Sequence, residues 1–124
     1  MLESRLVQAG DVRLGVYEAG PADAAQTAVL VHGAASSARI WNEVQRLLGE
    51  AGIRSVAIGM RGAGASDRTD RDEDYRPEVY AADLAAAIGT LGLQRFTLVG
   101  HSLGGRIVTR YVLDQDRDRV QALV

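Results

Sequence analysis

Gly100-His101-Ser102-Leu103-Gly104 stands between a β-rich run, Arg95–Val99, and a segment in which Leu103, Ile107, Val108, Tyr111 and Val112 recur at helical spacing. A strand that becomes a helix within so few residues has little freedom of backbone. The serine at the apex is expected on a sharp, strained turn, where side chains two residues to either side would collide and glycine at 100 and 104 removes them. Such a turn lifts the hydroxyl above the sheet and sets it at the positive end of the helix that begins near Leu103, where developing negative charge is favoured. Flanked in this way, Ser102 reads as a nucleophile rather than part of an ordinary glycine-rich turn.

The rest of the chain alternates in kind. Arg5–Gln8 and Val12–Tyr17 flank Ala9-Gly10-Asp11 and read as a hairpin. Thr27–Val31 and Ile53–Ile58 are short apolar runs of the type covered on both faces in a parallel sheet. Between them Ile40, Trp41, Val44, Leu47, Leu48 and Ala51 recur at helical spacing and are expected to point inward, with Gly52 as a stop. Gly59–Arg76 is a long polar loop, and Pro77 opens a helix with Tyr80, Leu84, Ala87, Ile88 and Leu91 on one face. Asp114–Arg119 is a charged connection, after which Val120–Val124 starts another buried-type strand. This order predicts an α/β fold, a mostly parallel sheet with an antiparallel N-terminal hairpin. If Thr27–Val31 and Arg95–Val99 are central neighbours, their carboxyl ends form the crevice where open α/β sheets bind ligands, and both His32-Gly33-Ala34 and Ser102 fall there.

Composition narrows the chemistry. The 124 residues contain no cysteine and no lysine, and their 14 arginines face 16 acidic residues for a net charge of -2. Without cysteine there are no disulfides, thiol nucleophiles or thiolate metal sites; without lysine there is neither a P-loop nor Schiff-base catalysis. Two histidines alone make a poor metal site, and no cofactor is expected: Gly62-Ala63-Gly64 begins like a dinucleotide fingerprint, but Asp67 stands where the third glycine belongs. Dispersed arginines in an acidic chain leave no footprint for nucleic acid. No stretch approaches the roughly 18 apolar residues of a membrane span, and Met1–Leu6 lacks a targeting pattern, so a cytoplasmic chain without a membrane partner is expected.

Three segments together resemble the α/β-hydrolase fold family. They are the turn at Gly100–Gly104, His32-Gly33 at a strand end, similar to the family's HG motif, and Arg61-Gly62-Ala63-Gly64-Ala65-Ser66-Asp67, similar to its RGxGxSD loop. The resemblance covers essentially the whole chain. It implies acyl transfer from a small ester-like substrate to water, with Ser102 as nucleophile, the backbone N–H groups of Ala34 and Leu103 as oxyanion hole, and His32, Gly33, Gly100, His101 and Gly104 as supporting motif positions. A serine at this place disfavours the branches of the family that use aspartate, namely haloalkane dehalogenases and epoxide hydrolases. Gly59 stands where family members often carry aspartate, two residues before the loop arginine.

In this fold the triad follows the chain order Ser, Asp/Glu, His, and a serine needs its base. After Ser102 the sequence offers Asp114, Asp116 and Asp118, in an alternating Asp/Arg stretch that reads as solvated, and no histidine. His101 is expected to turn its ring away from the hydroxyl, His32 to brace the oxyanion loop, and Arg61 to tie its own loop to the sheet. Asp67 and Asp83 precede the nucleophile, in the wrong order, and Trp41 is expected in the core or the cleft wall. The expectation is therefore the N-terminal part, residues 1–124, of a single α/β-hydrolase domain truncated after about six strands, lacking acid and base and inactive alone. The reading from a different class is a non-catalytic or complementing module that pairs the open edge at Val120–Val124 with another chain, self-association included.

Overall fold

The β-rich runs pair into one six-stranded sheet in the computed structural model, which describes residues 2–124. Strands β1 (Glu3–Ala9) and β2 (Val12–Ala19) form the antiparallel hairpin, and β2 pairs antiparallel with β4 (Arg54–Ile58). At the centre β3 (Thr27–Val31) runs parallel to β4 on one side and to β5 (Phe96–Gly100) on the other. Strand β6 (Val120–Leu123) adds parallel to β5, giving the order β1-β2-β4-β3-β5-β6. The expected fold class is the observed one, and winding reverses between β3 and β5 as the crevice argument requires.

Alternate strand residues feed two cores. Val29, Val31, Val56, Ile58 and Leu98 pack with α2 (Pro77–Leu91) and α3 (Leu103–Asp114). Ala28, Leu30 and Ala57 pack on the opposite face, with the 3₁₀ turn Ala38–Trp41 and α1 (Asn42–Glu50). The first core is thick, with Leu84, Ile88, Phe96, Ile107 and Tyr111 buried; the second is thin because its sheet residues are mostly small. Among the described residues no helix is long and apolar enough to cross a membrane.

Helix α1 departs from expectation. Ile40, Val44 and Leu47 are 52%, 39% and 51% exposed, whereas Gln45 is fully buried. The face that meets the sheet is Trp41, Gln45 and Leu48, and Gln45 Nε2 donates to the Tyr17 carbonyl at 2.9 Å. The apolar arc of this helix is wider than its footprint on the sheet, so periodicity marks the arc without marking which part is covered. Strand β6 forms as expected, but Leu123 and Val124 are 46% and 71% exposed rather than buried.

The long loop after β4 is anchored differently from the sequence reading. Arg61 reaches α2 instead of the sheet: Nε donates to Asp83 Oδ2 at 2.7 Å and Nη2 to Asp83 Oδ1 at 2.8 Å, with both side chains buried. Asp11 and Asp74 stand at 3.4 and 3.7 Å, and the hydrogen bonds to Asp83 hold the guanidinium firmly protonated. Gly59 is served by Ser66, whose hydroxyl donates to the Gly59 carbonyl and accepts the Gly15 N–H, each at 2.8 Å. Asp67 accepts from the Arg13 backbone N–H at 2.8 Å and from its guanidinium, closing the loop onto β2.

Burial sets the expected energetics. Leu84→Ala should cost about 2–5 kcal/mol of unfolding free energy, whereas Leu47→Ala should stay within about 0.5 kcal/mol. Urea titration of both variants checks this, and comparable losses would place α1 wrongly.

Candidate active site

The turn between β5 and α3 is strained and tightly pinned. Ser102 has φ 59° and ψ -121°, outside the regions that L-residues ordinarily populate. Among the described residues the other non-glycine position with positive φ is Ala35, at φ 54°. Strain of about 1–3 kcal/mol at each persists only where surrounding contacts over-determine the backbone, and both residues lie at the carboxyl end of the central strands. The His101 N–H donates to the Val31 carbonyl at 3.1 Å, and the Gly104 and Gly105 N–H groups donate to the carbonyls of His101 and Ser102, each at 2.9 Å. A Cβ at position 100 would collide with the Gly104 backbone, and one at 104 with the Val31 carbonyl. The first turn of α3 therefore rests directly on the end of β3.

That contact brings the two motif segments together. A Cβ built on Gly33 would lie 3.0 Å from Ser102 Cβ and 3.5 Å from Ser102 Oγ, so the loop after β3 passes against the serine. Ser102 is exposed, at the start of α3. Among the described residues neither the Ala34 nor the Leu103 N–H has an acceptor, so both remain available beside the hydroxyl.

The two histidines have separate surroundings. His32 is buried; its Nε2 accepts the Met60 N–H at 3.0 Å, which fixes the proton on Nδ1, and Nδ1 donates to the Gly33 carbonyl at 2.8 Å. Burial pushes its pKa below the ordinary 6.5, opposed by the hydrogen bond to Gly33. The imidazole is thus a neutral brace between β3 and the start of the β4 loop. His101 is exposed and meets Trp41 edge-on, with ring centroids 6.5 Å apart, on the side of the sheet that carries α1.

Two hollows open near the turn, and Ser102 lines the second of them. One is a small pocket of about 160 Å³ bordered by Gly33, Ala34 and Leu103 and running to Met60, Tyr80 and Ile107. The other is an open groove of about 570 Å³ along Ser102, Arg106, Thr109 and Arg110. A larger cleft of about 790 Å³ lies between the end of β2 and α1, away from Ser102, and is bordered by Asn42, Glu43, Arg46 and Glu50. Asp114 pairs with Arg110 at 2.5 Å and Asp116 with Arg119 at 3.1 Å. Asp114 ends α3, about 18 Å along its axis from the serine, and Asp116 lies just beyond that end. Among the described residues no group of three or more His, Asp or Glu side chains is placed to share a metal ion. The sequence did not point to Ala35, Tyr75 or Tyr80 as neighbours of the site; only the length of the loop at Gly59–Arg76 hinted that it carries more than a connection.

A model of the alpha/beta hydrolase fold family matches residues 28–124. Epoxide hydrolase A of Mycobacterium tuberculosis is 35% identical over 119 residues, which is 96% of this chain and 36% of that protein. A non-heme haloperoxidase of Rhodococcus erythropolis is 38% identical over 93 residues, 75% of this chain and 33% of that protein. Among solved structures, epoxide hydrolase A of Mycobacterium thermoresistibile gives a TM-score of 0.88 at 30% identity, covering 99% of this chain and 38% of the other. An epoxide hydrolase of Vigna radiata gives 0.90 at 24% identity over 98% of this chain and 39% of the other, a likeness of fold alone. The chain thus spans between a third and two fifths of the length of these relatives. With the sheet order, the strained strand-to-helix turn and a family match over most of its length, the chain belongs to the alpha/beta hydrolase fold family.

Proposed function

We propose that these 124 residues are the nucleophile-bearing, N-terminal part of a serine-dependent hydrolase domain that acts on esters or related carbonyl compounds. The observation that carries the reading is the exposed Ser102 hydroxyl at positive φ, packed against Gly33 and flanked by the unengaged N–H groups of Ala34 and Leu103. In the whole protein the Ser102 oxygen attacks the substrate carbonyl carbon while a base takes its proton; the carbonyl oxygen becomes an oxyanion and accepts from Ala34 and Leu103. Collapse expels the leaving alcohol, which takes the proton from the base, and water repeats the sequence to free the acid and restore the serine.

The names of the relatives point two ways, toward epoxide hydrolases and toward haloperoxidases. The serine favours acyl chemistry, since a neutral hydroxyl with oxyanion donors suits a carbonyl that becomes tetrahedral. Neither described histidine suits the role of base. Both nitrogens of His32 are engaged, and His101 lies against Trp41. The acid and base are therefore assigned to chain beyond these residues, in keeping with the share of the relatives that is spanned. A second reading, a module that pairs the edge of β6 with another chain, has the exposure of Leu123 and Val124 in its favour.

A fluorophosphonate probe separates the two. In the whole protein, where a base is present, it should modify Ser102 in preference to the other five serines of residues 1–124, and Ser102→Ala should abolish the adduct in peptide mass analysis. Modification without preference for Ser102 would favour the module. Ester turnover by this chain should be slight, because loss of the histidine costs a serine triad about a million-fold in kcat; rapid turnover abolished by Ser102→Ala would show a base within these residues.

The neutral brace at His32 predicts a pH dependence. Its folded pKa lies below the unfolded value, so as pH falls through about 6.5 the unfolded chain binds a proton that the folded chain refuses. Stability present above that pH should decline below it. Urea midpoints measured from pH 8 to about 5 should fall, and His32→Gln should flatten the decline; an unchanged slope in the variant would contradict the assignment.

A further inference from the structure

The loop that carries the Ala34 N–H has no internal hydrogen bonds to hold its shape. Among the described residues none of the N–H groups from Gly33 to Ser37 donates a hydrogen bond, yet Ala35 within this loop sits at φ 54°. A strained alanine keeps such a conformation only where contacts on either side over-determine it. At the start of the loop His32 supplies them, through its bonds to the Gly33 carbonyl and the Met60 N–H. At its end the chain enters the 3₁₀ turn Ala38–Trp41, whose Ala38 is 1% exposed and whose Trp41 packs on Ala28, Leu30 and Ala57.

Core packing alone does not account for Trp41. Its Nε1 is buried with no acceptor among the described residues, a cost that leucine in the same place would not carry. The indole also does what bulk alone would not: it meets His101 edge-on, with ring centroids 6.5 Å apart and planes at 89°, an arrangement in which aromatic rings attract. His101 directly precedes Ser102, and its own N–H is bonded to the Val31 carbonyl. One contact therefore joins the far end of the loop to the turn that bears the serine, on the face of the sheet opposite α3. We infer that Trp41 and His101 are positioning residues, whose contact holds Gly33–Ser37 against the turn and so sets the Ala34 N–H beside Ser102. The inference rests on the acyl-transfer reading for what that N–H does, and on the loop geometry for how it is held.

His101 is exposed, so a replacement there would ordinarily be nearly neutral, and any effect on the loop must pass through the ring contact. Two readouts on the whole protein test this. The first is the NMR cross-peak between the N–H and Hα of Ala35, which is strong while φ is positive because the two protons are then nearly eclipsed. His101→Ala should weaken that cross-peak with the urea midpoint unchanged, and His101→Phe, which keeps a ring against Trp41, should restore it. Trp41→Leu should weaken it too, and the His101 pair stands even where that variant does not fold. The second readout is hydrolysis of p-nitrophenyl acetate. His101→Ala should lower kcat about tenfold with KM held within about twofold, as for a donor that acts in the transition state, and His101→Phe should recover most of the loss. An Ala35 cross-peak as strong in His101→Ala as in the parent, or equal losses in His101→Ala and His101→Phe, would overturn the positioning role. A cross-peak that responds as expected in a protein that hydrolyses no ester would overturn the acyl-transfer reading alone.

Discussion

The structure depends on one close approach of backbone to backbone. The first turn of α3 lies on the carbonyl of Val31 at the end of β3, at a separation that admits no side chain at Gly104, while Gly100 gives the same clearance within the turn itself. Because β3 and β5 are neighbours in the sheet, this contact fixes where α3 starts, and where α3 starts fixes Ser102 beside Gly33. The strain at Ser102 is held in place by three backbone hydrogen bonds around the turn and by the packing of Ile107, Val108 and Tyr111 beneath it.

A second layer of positioning surrounds that contact. His32 spans from the loop after β3 to the start of the loop after β4 as a neutral imidazole, with one hydrogen bond in each direction. Arg61 continues from there to α2 through Asp83, and Ser66 and Asp67 close the same loop onto β2. Each of these groups is committed to holding the two loops in place, His32, Ser66 and Asp67 through backbone and Arg61 through the Asp83 carboxylate. The charged pair is costly to bury, and truncating one partner would leave the other unpaired at a cost of about 3–5 kcal/mol. A loop held in this way keeps its place without a regular element.

Most of the architecture was legible in the sequence because its signals are local and strong. The β-rich runs at Thr27–Val31 and Phe96–Val99, the proline that opens α2 and the glycines of the turn each have a single physical reading, and the pairing of β3 with β5 meets the condition under which the crevice forms. What the sequence did not convey depends on contacts between distant segments. The Ile40–Val44–Leu47 stripe looks like a buried face, yet coverage is decided by how far the sheet extends beneath α1. By sequence Arg61 reads as tying its loop to the sheet, yet its partner, Asp83, lies in a helix 22 residues away, and no spacing rule links the two. The positive φ of Ala35 carries no residue signature at all, because alanine rarely adopts it and nothing in its neighbours announces the need.

The central claim is that the turn at Ser102 builds a site that favours negative charge at the side-chain tip. The chain has no cysteine, so Ser102→Cys introduces a single thiol whose ionisation reports directly on that site. The measurement is the rate of alkylation by iodoacetamide against pH, in the folded chain and in urea. The account predicts an apparent thiol pKa below about 7.5 when folded and near 8.5 when unfolded, as for cysteines at helix N-termini. A folded value at or above about 8.5 would contradict it.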